Sequence, residues 1–254
     1  MSKKSFVKGA AILAVAGLIA KVVGALFRIP LMNIIGTEGM GIYQLAYPIY
    51  AFLLVISTSG IPTAISKLVS ERVAVGDQRG AYRVFRASFK LLFIIGLVTS
   101  LILLVGSPIF ARMQGNESGV YALMAIAPSL FFVSLMSAYR GYFQGLQHMT
   151  PTALSQIIEQ FGKLIMGLTF AGLWIEKGPE YGAAGALLGV TLSEVAGLAL
   201  VMGIYRRRRD EIFHNIRLAP KFGYKESESA VISNILSIAI PVTIGASIMP
   251  IVNF

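Results

Sequence analysis

Lysine and arginine set deep in apolar sequence are the residues here whose placement demands a chemical explanation. The stretch Ala11 to Tyr43, AILAVAGLIAKVVGALFRIPLMNIIGTEGMGIY, opens as an apolar segment long enough to cross a bilayer, and Lys21 and Arg28 interrupt it. Seven residues apart, they fall almost one above the other on a 3.6-residue helix, with Gly24 between them on the same stripe. A cation at bilayer depth is costly unless it faces water or a counter-charge. Glu159 and Lys163 are an i, i+4 pair with the glutamate first, the better order for a helical ion pair, and read as a structural pair. Glu194 lies midway along another apolar stretch. Three interior cations against two carboxylates leave positive charge unanswered. Lys21, Arg28 and Gly24 are therefore expected to line a substrate cavity that admits an anion. Glu194 either neutralises one of the cations or carries a proton or a sodium ion.

The composition sets these charges in a membrane. Of 254 residues, 56% are hydrophobic and only 13% charged, against about 25% charged in soluble domains. The mean hydropathy is +0.73. With no cysteine there is no thiolate nucleophile, disulfide or cysteine-ligated metal. His148 and His214 have no partner at metal-ligand spacing, and there is neither a phosphate-binding glycine loop nor a serine with an adjacent base. No enzyme and no cofactor are expected; a coupling ion, sodium or proton, stays open. The net charge of +10 is read as an orientation signal rather than a nucleic-acid footprint.

The elements expected to position these residues are about seven transmembrane helices, near 8–35, 42–59, 87–105, 120–142, 152–174, 183–205 and 231–254, in an all-α bundle. Gly36 to Gly41 reads as the first turn. Thr63 to Val75 is amphipathic, either lying on the membrane surface or packing as an extension on its neighbours. Lys and Arg crowd the loops on the side of the N-terminus, and only Arg112 and Lys177 fall in loops on the other. A cytoplasmic N-terminus follows from this asymmetry. An odd helix count ending in PIVNF suggests one lobe of a longer protein, its C-terminal lobe missing.

The motifs KVVGALFR (Lys21 to Arg28), IIGTEGMGIY (Ile34 to Tyr43), SGIPTAISKLVSE (Ser59 to Glu71) and SAYRGYFQG (Ser137 to Gly145) resemble those of the polysaccharide-biosynthesis exporters. Within them the chain is most similar to the stage V sporulation protein B group. That group is related to the lipid II flippases of the multidrug/oligosaccharidyl-lipid/polysaccharide exporter superfamily. The resemblance covers the chain as an N-terminal half. It implies a two-lobed fold whose central cavity moves a lipid-linked sugar pyrophosphate across a bacterial plasma membrane, with first-helix cations lining the cavity at a spacing one residue different from that seen here. The leading expectation is a flippase or exporter of an anionic lipid-linked oligosaccharide or peptidoglycan precursor, working by alternating access in cell-envelope or spore polysaccharide synthesis. Two alternatives stand beside it: a cation-coupled multidrug exporter using Glu159 and Glu194, and a non-transporting membrane scaffold for envelope synthesis. The expected partners are the bilayer and the lipid-linked substrate, with no nucleic acid, and the oligomeric state stays open.

Overall fold

A computed structural model describes residues 3–220 and 226–252; residues 253–254 of the expected last helix lie outside it. The described residues form an all-α bundle: α1 (Lys3–Thr58), α2 (Ile61–Ala74), α3 (Gln78–Met113), α4 (Gly119–Gly145), α5 (Thr150–Trp174), a 3₁₀ turn (Ile175–Lys177), α6 (Pro179–Leu218) and α7 (Glu228–Val252). Among the described residues, five helical stretches are long and apolar enough to cross a membrane: Gly9–Ala74, Gln78–Met113, Gly119–Gly145, Pro179–Leu218 and Glu228–Ser247. The chain is a multi-pass membrane protein.

The first two crossings are joined within α1. Its only non-helical residue is Gly36, at φ 69° and ψ −175°, a conformation open to glycine at little cost. The chain doubles back there, since the rings of Phe27 and Tyr43 lie 6.4 Å apart. In a straight helix those positions would be separated by about 24 Å. The expected six-residue turn is thus compressed into one glycine, and residues 37–41 are already helical.

The amphipathic segment turns its apolar face to protein. Ile61, Ala64, Ile65, Leu68 and Val69 of α2 are buried. Gly141 and Gly145 of α4 form the groove that receives it: a Cβ added at Gly141 would meet Ile65 Cβ at 2.8 Å, and one at Gly145 would meet Val69 Cβ at 2.5 Å. Burying β-branched side chains in a glycine groove turns the apolar face of α2 to α4 rather than to lipid.

Two helices run further than hydropathy suggests. Asp77 caps α3, which starts at Gln78, nine residues before the expected 87, and accepts a hydrogen bond from Gly80 N at 2.7 Å. α6 continues through Arg206 to Arg209 as far as Leu218. Arginine favours helix, and Ile212, Phe213 and Ile216 give the extension an apolar stripe. The Phe213 ring meets Tyr82 edge-on at 5.3 Å, and Arg79 Nε donates to the Ile216 carbonyl at 3.2 Å.

α5 and α6 approach most closely. Gly189 faces the backbone of Gly167, and Gly185 faces the Phe170 carbonyl, each with no space for a Cβ. Close backbone approach of this kind drives helix association where no hydrophobic effect separates helix from lipid. The contact sets the register of the whole seam, pairing Gly162 with Ser193 and Glu159 with Gly197. Two apolar cores result. Along α6, Val190 belongs to one and Leu198 to the other, and Glu194 falls between them. Gly189→Ala is expected to destabilise the bundle by about 1–3 kcal/mol, because only backbone can move aside. Gly172→Ala, which points into open space, leaves stability unchanged. Thermal unfolding in detergent or lipid nanodiscs measures both.

Candidate functional site

Around α1 the 100° step per residue sorts the first crossing into three sectors. Ala16, Val23, Phe27 and Leu31 are buried. Leu18, Val22 and Ile29, at 65%, 52% and 66% exposure, face away on the opposite side. Lys21, Gly24 and Arg28 occupy the sector between, with both cations exposed and Gly24 half-buried. The flank of that sector is α5: a Cβ on Gly24 would meet Gln160 Oε1 at 3.3 Å. Among the described residues neither Lys21 nor Arg28 forms an ion pair.

Lys163 stands behind them. Its ammonium lies 4.9 Å from the centre of the Phe27 ring and 5.7 Å from that of Tyr47, a cation–π arrangement. It thereby ties α5 to both crossings of α1. Arg28 and Glu194 are close enough for their charges to act on it. Tyr43, Tyr47 and Tyr50 continue the aromatic surface along the second crossing, with successive ring centres 6.0 and 5.9 Å apart.

The expected Glu159–Lys163 pair does not form. Glu159 pairs instead with Arg140 of α4, whose guanidinium also donates to Ser155 Oγ at 2.8 and 2.9 Å. A fork of several donors, all reaching a buried carboxylate and its hydroxyl neighbour, outweighs a single-helix contact. Arg140 was expected at the cytoplasmic end of the helix near 120–142; α4 (Gly119–Gly145) turns it toward α5 instead, where it adds a fourth interior cation. Glu194 has no salt bridge, and its Oε2 is buried without a hydrogen-bond partner, as is Oε1 of Gln156 on α5. The structure thus gathers Arg28, Lys163, Glu159 and Glu194 along the seams of α1, α5 and α6, with Lys21 and Gly24 on its open edge. Arg140, Gln156, Gln160 and the tyrosines were not anticipated. Polar residues at 156, 159, 160 and 163 of one apolar helix were the available signal.

At the basic end of the bundle, His148, Arg208 and Glu211 line a cleft of ≈ 170 Å³. Partial burial, then the Arg208 charge, lowers the His148 pKa below its ordinary value, so the ring stays neutral near pH 7. No group of three or more His, Asp or Glu among the described residues is placed to hold a metal ion.

Removing one partner of the buried Arg140–Glu159 pair strands the other charge. Arg140→Met is expected to cost about 3–5 kcal/mol, whereas Arg140→Met combined with Glu159→Met recovers most of that loss. A double-mutant cycle by thermal unfolding reads the coupling.

Residues 6–254 match the family described as polysaccharide biosynthesis protein. The chain is 32% identical over 210 residues to stage V sporulation protein B of Bacillus subtilis (strain 168), covering 82% of this chain and 40% of that protein. To the lipid II flippase MurJ of the same organism it is 30% identical over 220 residues, with the same coverage. The chain therefore spans less than half the length of these relatives. Its fold matches a structure of MATE in the straight conformation (TM-score 0.76, 17% identity) over 96% of this chain and 53% of the other. It also matches a MOP superfamily transporter from Pyrococcus furiosus (TM-score 0.72, 17% identity), over 93% and 52%. Each alignment places the bundle on about half of a transporter fold. Family match and bundle geometry together establish that the chain belongs to the polysaccharide biosynthesis protein family.

Proposed function

We propose that this chain forms the cationic lobe of a membrane flippase or exporter that moves an anionic lipid-linked oligosaccharide, or a peptidoglycan precursor, by alternating access. The observation that carries the reading is the exposed, unpaired cationic stripe of Lys21 and Arg28, backed by Lys163 on its aromatic seat. A lipid pyrophosphate loses hydration as it leaves the interface. Cations in a water-accessible cleft offset that loss with charge-assisted hydrogen bonds, while the lipid tail stays in the bilayer.

Two further observations support it. The Glu159 carboxylate is already held by Arg140, so it is not free to receive a lipophilic cation, as a drug exporter would require. The lipid II flippase relative transports a ligand of the charge that the stripe would attract. The opposite wall of the cleft is assigned to a facing lobe, and rocking of the two lobes exposes the stripe to either side in turn. In this reading the protein sits in a bacterial plasma membrane with its N-terminus cytoplasmic. The basic end of the bundle, with Arg79, Arg83, Arg86 and Arg206 to Arg209, then faces the cytoplasm as the positive-inside rule requires.

Because Lys21 and Arg28 are exposed, their substitution tests function with little effect on folding. Lys21→Ala and Arg28→Ala are each expected to weaken binding of a polyprenyl pyrophosphate roughly tenfold or more, at about 1.5–3 kcal/mol per charged hydrogen bond. The double variant loses transport, whereas Lys21→Arg keeps it. Complementation in cells lacking the protein, together with binding to nanodisc-embedded protein, measures this. Full activity in the double variant refutes the reading.

A further inference from the structure

A second cationic feature, at the basic end of the bundle, belongs neither to the Lys21–Arg28 stripe nor to the interior pairs. Arg86 and Lys90 of α3, Tyr139 of α4 and Tyr205 of α6 line a cleft of ≈ 260 Å³, with Tyr82 and Phe89 completing its wall. Edge-on ring contacts hold its shape: Phe89 meets Tyr139 at 5.7 Å, and Tyr139 meets Tyr205 at 5.3 Å. The Tyr205 hydroxyl donates to that of Tyr82 at 3.4 Å. That bond uses one of the pair's two hydroxyl hydrogens, and the Tyr82 hydrogen has no acceptor among the described residues.

Most cations near this cleft are answered. Arg72 holds Glu226, Lys90 holds Glu228 at 2.7 and 2.9 Å, and Arg83 lies 3.6 Å from Asp77. Arg86 is exposed and has no ion pair or hydrogen bond among the described residues. Glu226 and Glu228, which share a neighbouring cleft with it, are the carboxylates that Arg72 and Lys90 already hold. Arg206 is likewise exposed and unpaired among the described residues, and its charge reaches Tyr139. Arg86 and Lys90 also stand at the foot of an apolar ladder. Phe93, Leu97 and Leu101 follow at spacings of 3, 4 and 4 on the same face of α3, and all three are exposed. Phe93 to Leu101 spans about 12 Å, within one leaflet, half of a ~30 Å hydrocarbon core. A cationic cleft walled by tyrosine, with an apolar face rising from it, suits an amphiphile with an anionic head and an acyl tail. A free anion would leave that face bare, and a zwitterionic head would bring its own cation toward Arg86.

We infer that this cleft seats an anionic phospholipid, its phosphodiester on Arg86 and the tyrosine hydroxyls and its acyl chain along Phe93, Leu97 and Leu101. Arg86 supplies the forked N–H donors that match phosphate oxygens. The seated head reaches α3 through Arg86, α4 through Tyr139 and α6 through Tyr205, so it fastens three helices at the basic end of the bundle. The lipid is a structural ligand rather than cargo. Its seat on α3, α4 and α6 is separate from the stripe on α1, and the inference does not depend on the proposed function.

Thermal unfolding of the full chain in maltoside micelles, titrated with dioleoyl phosphatidylglycerol, tests the seat. The unfolding midpoint is expected to rise with phosphatidylglycerol and to stay flat with dioleoyl phosphatidylcholine. Arg86→Gln, at an exposed position, unfolds like the wild type in micelles alone and needs roughly tenfold more phosphatidylglycerol for the same rise. Tyr82→Phe combined with Tyr205→Phe keeps the rings, removes the hydroxyls and weakens the response by a factor of a few. Should Arg86→Gln fail to fold, the tyrosine pair carries the same test. Arg112→Gln, at the opposite end of α3, responds as the wild type does, which separates the cleft from general attraction between a basic protein and an anionic lipid. Equal stabilisation by the two lipids overturns the proposal, and so does a phosphatidylglycerol response left intact by Arg86→Gln and by the tyrosine pair. A matching rise with glycerol phosphate, which has the head and no chain, assigns the cleft to a soluble anion and overturns the lipid.

Discussion

Backbone contact between α5 and α6 is the constraint on which the rest of this bundle depends. Gly167, Gly185 and Gly189 let two helices meet with no side chain between them. In lipid, where apolar surface gains little from leaving its solvent, such fit supplies much of the cohesion. The same contact fixes rotation and register. It turns Glu159 and Lys163 of α5, and Glu194 of α6, toward the middle of the bundle. Had the seam slipped by one residue, each would rotate by about 100° and the interior charge would move to lipid.

Given that placement, the polar interior resolves into a division of labour. The Arg140–Glu159 pair with Ser155 is closed and self-satisfied. Lys163 is held by aromatic faces that leave its charge unneutralised. Lys21 and Arg28 stand at the rim, between the packed and the outward-facing sectors of the first crossing. Positive charge is thus graded from fully paired inside to unpaired at the open edge.

Much of this was legible from residue order. Apolar runs located the crossings, and Lys21 and Arg28 stood out because depth makes their charge expensive. What escaped had a common cause. The i, i+4 rule sees one helix at a time, so it offered Lys163 to Glu159 and overlooked Arg140, nineteen positions away on another helix. The GTEGMG segment looks like a loop by composition, yet Gly36 alone makes the reversal. Hydropathy marks where the membrane ends, and the arginine run after Tyr205 marks it well. It says nothing about where a helix ends, and α6 runs on because Phe213 and Ile216 find Tyr82 and Arg79. Whether α2 lay on lipid or on protein turned on Gly141 and Gly145, whose spacing announces a groove but not its occupant.

The length of α6 has a mechanical consequence. Forty residues at 1.5 Å each make a rod of about 60 Å, gripped near Gly189 by the backbone of α5 and rich in charge over its last turns. Leu218 lies twenty-nine residues beyond that fulcrum, a moment arm of about 43 Å. A tilt of about 10° at the grip sweeps the far tip through about 7 Å, carrying the α3 start to which it is stapled by Tyr82 and Arg79. Sub-ångström play at a glycine contact in the middle of the membrane is thereby geared up into a displacement the size of a side chain at its surface.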